Sequence, residues 1–139
     1  MSATATIPDL WPSDFGVDAK QLSPSTILRQ QGYKLGERTH DVVFGEVESA
    51  YDATNVFGHA FFITAPFIKV RQRAIEVWHN LDGYPATVIL TDGTGRRIRE
   101  EIVDSVEKFI KVLREMLATP HIVQLIGSLI SQARDLDDE

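Results

Sequence analysis

Four histidines, His40, His59, His79 and His121, are the side chains in this 139-residue chain best suited to metal or proton chemistry. None stands in an HExxH or HxH spacing that would bring two imidazoles to one ion by local geometry. His59 and His79 nevertheless fall in segments that read as β-strands, and Glu46 falls in a neighbouring one. If those faces coincide, His59, His79 and Glu46 are the candidate ligands for zinc or iron, or the candidate general bases. A lone histidine flanked by apolar residues more commonly serves as a core or rim residue with one hydrogen-bond partner, so no cofactor is expected.

Nucleophilic chemistry finds less support. Serines occur at positions 2, 13, 23, 25, 49, 105, 128 and 131, none in a GxSxG elbow, and no base is placed beside one by spacing. The absence of cysteine removes thiolate ligands and a cysteine nucleophile. Glu46 and Glu48 share one face of a strand, an arrangement as natural for a solvated pair as for an acid and base. These residues point away from an enzyme.

Two segments are basic, one with Lys69, Arg71 and Arg73 and the other with Arg96, Arg97 and Arg99. Arg71, Arg73, Arg97 and Arg99 are therefore candidates for binding a phosphate-rich or nucleotide-like ligand, with Glu76, Glu100 and Glu101 as competing cross-strand partners. The glycines of Thr91–Arg97 do not make a phosphate loop, because the frame is wrong and a strand follows.

The elements that must position these residues can be read from local chemistry. Residues 1–22, with Pro8 and Pro12, read as an extended arm pinned by Trp11 and Phe15. Ser23-Pro24 is an N-cap and first helical residue, Ile27, Leu28, Gln31 and Leu35 form one face, and Gly36 is placed to end that helix. Residues 40–51 and 55–65 alternate as two strands joined by an Asp-Ala-Thr-Asn turn.

Pro66 to Arg73 is open between helix, loop and strand. Asn80-Leu81-Asp82-Gly83 suits a hairpin turn and therefore demands strands on both sides, over 74–79 and 84–91. Asp92-Gly93-Thr94-Gly95 leads into a fifth strand. Asp104 to Glu107 resembles a capping box with Asp104 in the serine role, and Thr119-Pro120 opens a last helix. The expected fold class is α+β: an N-terminal helix, a five-stranded antiparallel β-meander, and two C-terminal helices packed on one face of the sheet. It forms a single domain over residues 23–134, followed by an acidic disordered tail over 135–139.

With 14 basic and 20 acidic residues the net charge is -6, and the tail DLDDE holds four of the acids. Nucleic acid and anionic membranes are poor partners for such a chain. No signal peptide or transmembrane run is apparent, so the expected location is cytoplasmic.

The last helix is apolar on nearly every side. Gly127 and Ser128 are small enough to admit a close neighbour, and a second chain is one way to cover what the sheet does not. Trp11, Phe15, Ile122, Ile126, Leu129 and Ile130 are the expected partner interface. In size, acidity and helix-plus-antiparallel-sheet content the chain resembles the secretion-chaperone type of small dimeric protein, although it departs in ending on two helices and no residue is transferred. The expected function is that of a small protein-binding or adaptor module acting as a homodimer.

Overall fold

The computed structural model describes residues 7–13, 22–52 and 54–137. The order is α1 (Pro24–Arg38), β1 (Phe44–Tyr51), β2 (Phe57–Ala65), β3 (Val70–His79), β4 (Ala86–Thr91), β5 (Arg97–Val103), α2 (Val106–Leu117) and α3 (Pro120–Asp137). All five strands form one antiparallel meander in sequence order. The helices sit against one face of it, as the sequence patterning predicts.

Two of the turns share one design. Asp52 Oδ1 accepts from the backbone N–H and hydroxyl of Thr54 and from the N–H of Val56. Asp92 Oδ1 does the same for Thr94 and Arg96. In both, a short acceptor side chain folds the backbone over itself, and a residue of positive φ, Asn55 or Gly95, completes the reversal. The turn at Asn80 closes with Gly83 N–H donating to Asn80 O at 3.0 Å, with Gly83 at φ 84°.

Several boundaries differ from expectation. Gly36 lies inside α1, against the ring of Phe44, and the helix continues to Arg38. His40 and Asp41 take up the positive φ expected of a terminating glycine, and Asp41 N–H closes on Gly36 O at 2.8 Å. The Thr39 hydroxyl, bonded to Leu35 O and Val43 O, holds the chain there, so β1 starts at Phe44 and not at His40.

The open segment after β2 is one 3-10 turn, Pro66–Ile68, followed by Lys69 in a left-handed conformation, after which β3 starts at Val70. β4 starts at Ala86, after the cis Tyr84–Pro85 peptide. The cap of α2 is Ser105, which accepts from Lys108 N–H, while Asp104 pairs with the Lys108 ammonium.

The core lies between the sheet and the helices. Leu28 from α1, Phe61 and Ile63 from β2, Ile75 and Val77 from β3, Val88 and Leu90 from β4, and Phe109 and Met116 from α2 are all essentially inaccessible. Each such side chain contributes roughly 1.5–3 kcal/mol of apolar burial. α1 packs along β1 so closely that a Cβ on Gly32 would overlap the Gly45 carbonyl. Gly32, unfavourable for a helix interior, is thus a packing requirement.

α3 continues to Asp137, three residues into the stretch read as a disordered tail; residues 138 and 139 lie outside the described residues. Its apolar surplus is largely absorbed by its own chain. Ile122 and Leu129 are core residues, and Leu125, Ile126 and Ile130 are half-buried against the core. Ile122 and Leu129 are therefore not available as partner-interface residues. A Cβ built on Gly127 would meet nothing within 4 Å, so among the described residues its small size is not used for close packing.

Candidate functional site

The strand registers decide which candidate residues meet. Ser49 lies opposite His59, and Phe57 lies opposite His79. Ser49, Tyr51, Phe57, His59 and His79 therefore share the helix-side face near one end of the sheet. Glu46, opposite Phe62, lies on the other face. The metal set His59, His79 and Glu46 is accordingly divided between two faces, and among the described residues no group of three or more histidines and carboxylates could hold a metal ion.

His59 and His79 do meet, Nε2 to Nε2 at 2.7 Å, with their rings stacked at a centroid distance of 4.8 Å. His79 Nδ1 lies 2.7 Å from Asn80 O, and His59 Nδ1 lies 2.7 Å from Ser49 Oγ. A carbonyl oxygen only accepts, so Nδ1 of His79 carries a proton, and with both rings neutral His79 accepts at Nε2. His59 then donates from Nε2 and accepts at Nδ1 from the Ser49 hydroxyl. Between two neutral rings, the Asn80 carbonyl thus sets the direction of the chain. The Arg29 guanidinium donates to Ser49 Oγ from the α1 side at 3.4 Å.

Burial, then the neighbouring His79, then the Arg29 charge hold the His59 pKa down at about 4. Ser49 is exposed, whereas His59 is buried. Sequence spacing did not associate Ser49 with a base, because the pairing arises from strand register and from nothing within either segment.

The arginine candidates are committed elsewhere. Arg71 lies over the Phe62 ring at 3.6 Å and pairs with both Glu46 and Glu48, at 3.2 and 3.3 Å. Arg73 pairs with Glu76, Arg97 with Glu100 at 3.1 Å, and Arg99 with Glu101 and Glu115 at 3.0 and 3.1 Å. Arg99 shares the helix side with Glu115 of α2, while Arg71 and Arg73 flank Phe62 on the opposite face. They do not converge on a common ligand position.

A different set of cations surrounds empty space. Two adjoining cavities of about 400 and 380 Å³ run between α1 on one side and α2 with the start of α3 on the other, sharing Gln31, Arg38, Leu117 and Val123. The floor is Phe61, Ile63, Leu113 and Ile122, and the walls add Ile27, Ile110 and Ile126. Lys34, Arg38 and Arg114 line the opening, and among the described residues no carboxylate does. Among the described residues, none of these three cations has an ion-pair partner, unlike Arg71, Arg73, Arg97 and Arg99. Sequence reasoning missed them because they stand singly on three turns of two helices.

Of the expected interface residues, Trp11 is 73% exposed, Ile126 and Ile130 are half-buried, and Phe15 lies outside the described residues. Trp78, Ile98 and Ile102 are 42, 50 and 73% exposed, Trp78 and Ile102 on the sheet face that none of the described helices covers. Among the described residues, no helix is long and apolar enough to cross a membrane. Comparison of the chain with protein-family models, with curated proteins and with solved structures gave no match.

Proposed function

We propose that this chain is a protein-binding module whose groove between α1 and the α2–α3 pair receives an amphipathic, acidic segment of a partner protein. A single contrast carries the reading. In a chain with six more acids than bases, the described residues lining the apolar groove include Lys34, Arg38 and Arg114 and no carboxylate. An apolar floor rewards burial of a partner's leucines, and unpaired cations at the opening reward carboxylates beside them. The partner side chains gain most of their binding energy from the floor, while the rim sets orientation and association rate.

The test is a fluorescent helical peptide with leucines at i, i+3, i+4 and i+7 flanked by glutamates, compared with a scrambled peptide of equal charge. The ordered peptide binds at least tenfold more tightly than the scrambled one, and the Lys34→Glu, Arg38→Glu, Arg114→Glu variant loses that affinity. Equal affinity for both peptides, or undiminished binding by the triple variant, overturns the reading.

A homodimer belongs to the same reading, on a different surface. Trp78, Thr87 and Ile102 form one cross-strand row on the face that none of the described helices covers, and Ile98 lies on the same edge strand as Ile102. A second copy is the occupant that buries this row twice through one self-complementary contact. Light scattering of the wild type and of an Ile102→Lys variant checks it, with a dimer expected for the first and a monomer for the second. The lack of cysteine agrees with a reducing, cytoplasmic setting.

A further inference from the structure

The geometry points to Ser49 as a nucleophile, activated by His59 and oriented through His79, that accepts an acyl group from activated esters such as aryl esters or thioesters. This is a second activity, remote from the groove and independent of the binding reading.

The parts are in hydrogen-bonding contact already. The Ser49 hydroxyl donates to His59 Nδ1 at 2.7 Å, and His59 donates to His79 Nε2 at 2.7 Å. The Asn80 carbonyl, 2.7 Å from His79 Nδ1, fixes the tautomer of the third member. A nucleophile, a base and a group that orients the base therefore stand in line, which is the arrangement nucleophilic catalysis requires. Ser49 is exposed, so an acyl carbon can approach Oγ from solvent. The Arg29 guanidinium, 3.4 Å from Oγ, is the cation nearest to where an oxyanion would develop. Tyr51, Phe57 and His79 stack in succession beside it, at 5.4 and 5.5 Å, and form a shelf for an aryl or alkyl group.

Attack by Oγ forms the O–C bond and moves the carbonyl π pair onto oxygen, facing Arg29. The hydroxyl proton passes to His59 Nδ1, while its Nε2–H remains bonded to neutral His79. Collapse of the tetrahedral species expels aryloxide or thiolate, and the imidazolium returns its proton to the leaving group or to solvent. Water then attacks the acyl-serine, His59 takes its proton, and a carboxylic acid leaves as Oγ regains a hydrogen.

The preference for activated esters follows from the base. His59 is buried beside a second imidazole, so its proton affinity is low and the driving force for proton transfer is small. Leaving groups that depart without protonation are the ones such a base can serve.

The experiment uses the full chain with a fluorophosphonate probe and with p-nitrophenyl acetate. Mass spectrometry is expected to find the probe on Ser49, and Ser49→Ala is expected to lose at least tenfold in ester hydrolysis without a change in melting temperature beyond a few degrees. The wild-type rate falls on the acid side near pH 4 and not near the usual imidazole value. His79→Gln, which keeps an acceptor but removes the second imidazole, moves that acid limb upward. A probe found elsewhere or nowhere, or hydrolysis unchanged in Ser49→Ala, overturns the assignment.

Discussion

His59 Nε2 and His79 Nε2 stand 2.7 Å apart across β2 and β3, and only one of the two can hold a proton between them. The Asn80 carbonyl makes His79 the acceptor, so a proton added at His59 Nδ1 costs the bond from the Ser49 hydroxyl and the burial of a charge, and a second one on His79 sets two like charges against one another. The pair is therefore stable in its neutral state.

That relationship sets a pH dependence of folding. The pKa of His59 is about 4 in the folded chain against 6.5 for a free imidazole. Between these values the unfolded chain binds a proton that the folded chain does not, so stability falls as pH drops from about 6.5 to about 4 and levels below. At full effect the loss is at most about 3 kcal/mol. Urea midpoints of wild type and His59→Gln across this range should diverge, with the variant showing the shallower slope.

Gly32→Ala and Gly127→Ala should act in opposite directions although both sit inside helices. A Cβ at Gly32 overlaps the Gly45 backbone, which cannot turn away as a side chain can, and the cost is about 1–3 kcal/mol. A Cβ built on Gly127 meets none of the described residues within 4 Å, and alanine is expected to stabilise α3 by about 0.5–1 kcal/mol. Thermal melts of the two single variants check the pair.

Charge reversal at Lys34, Arg38 or Arg114 should leave stability within about 0.5 kcal/mol of wild type, because among the described residues none of the three forms an ion pair. Arg99→Glu is expected to lower the melting temperature more, since it places Glu101 and Glu115 against a third carboxylate. Melting curves at low and high salt distinguish the two classes, with only the second narrowing its deficit as salt rises.

Ile122→Ala should behave as a core substitution. Its side chain is fully buried within its own chain, so a loss of about 2–5 kcal/mol is expected at every protein concentration. An interface residue would instead show a loss that depends on concentration. Denaturation at two concentrations a hundredfold apart separates the cases.

The meander was legible because its turn chemistry is local: Asp52 and Asp92 fold their own backbones, and Gly83 takes the left-handed position beside Asn80. The end of α1 was not, because His40 and Asp41 take positive φ where glycine was expected and Gly36 is used for packing. Candidate residues fared according to how far their relations reach. Arg73, Arg97 and Arg99 each find an acid two or three residues away, so their pairing had a local signal. Ser49 meets His59 only through the register that the Asp52 turn imposes, and His59 meets His79 across a second hairpin. Glu46 lost its place beside the histidines for the same reason, since alternation sends it to the opposite face.

The near-contact of Gly32 with Gly45 bears on how selective the groove can be. A helix seated backbone to backbone has no intervening side chains to repack, so α1 is a fixed wall. Adjustment to different occupants falls to the long, unpaired side chains along it, Gln31, Lys34 and Arg38, whose rotamers are free to follow a ligand's carboxylates. A rigid wall with a pliant fringe favours tolerance of varied sequences over tight discrimination among them.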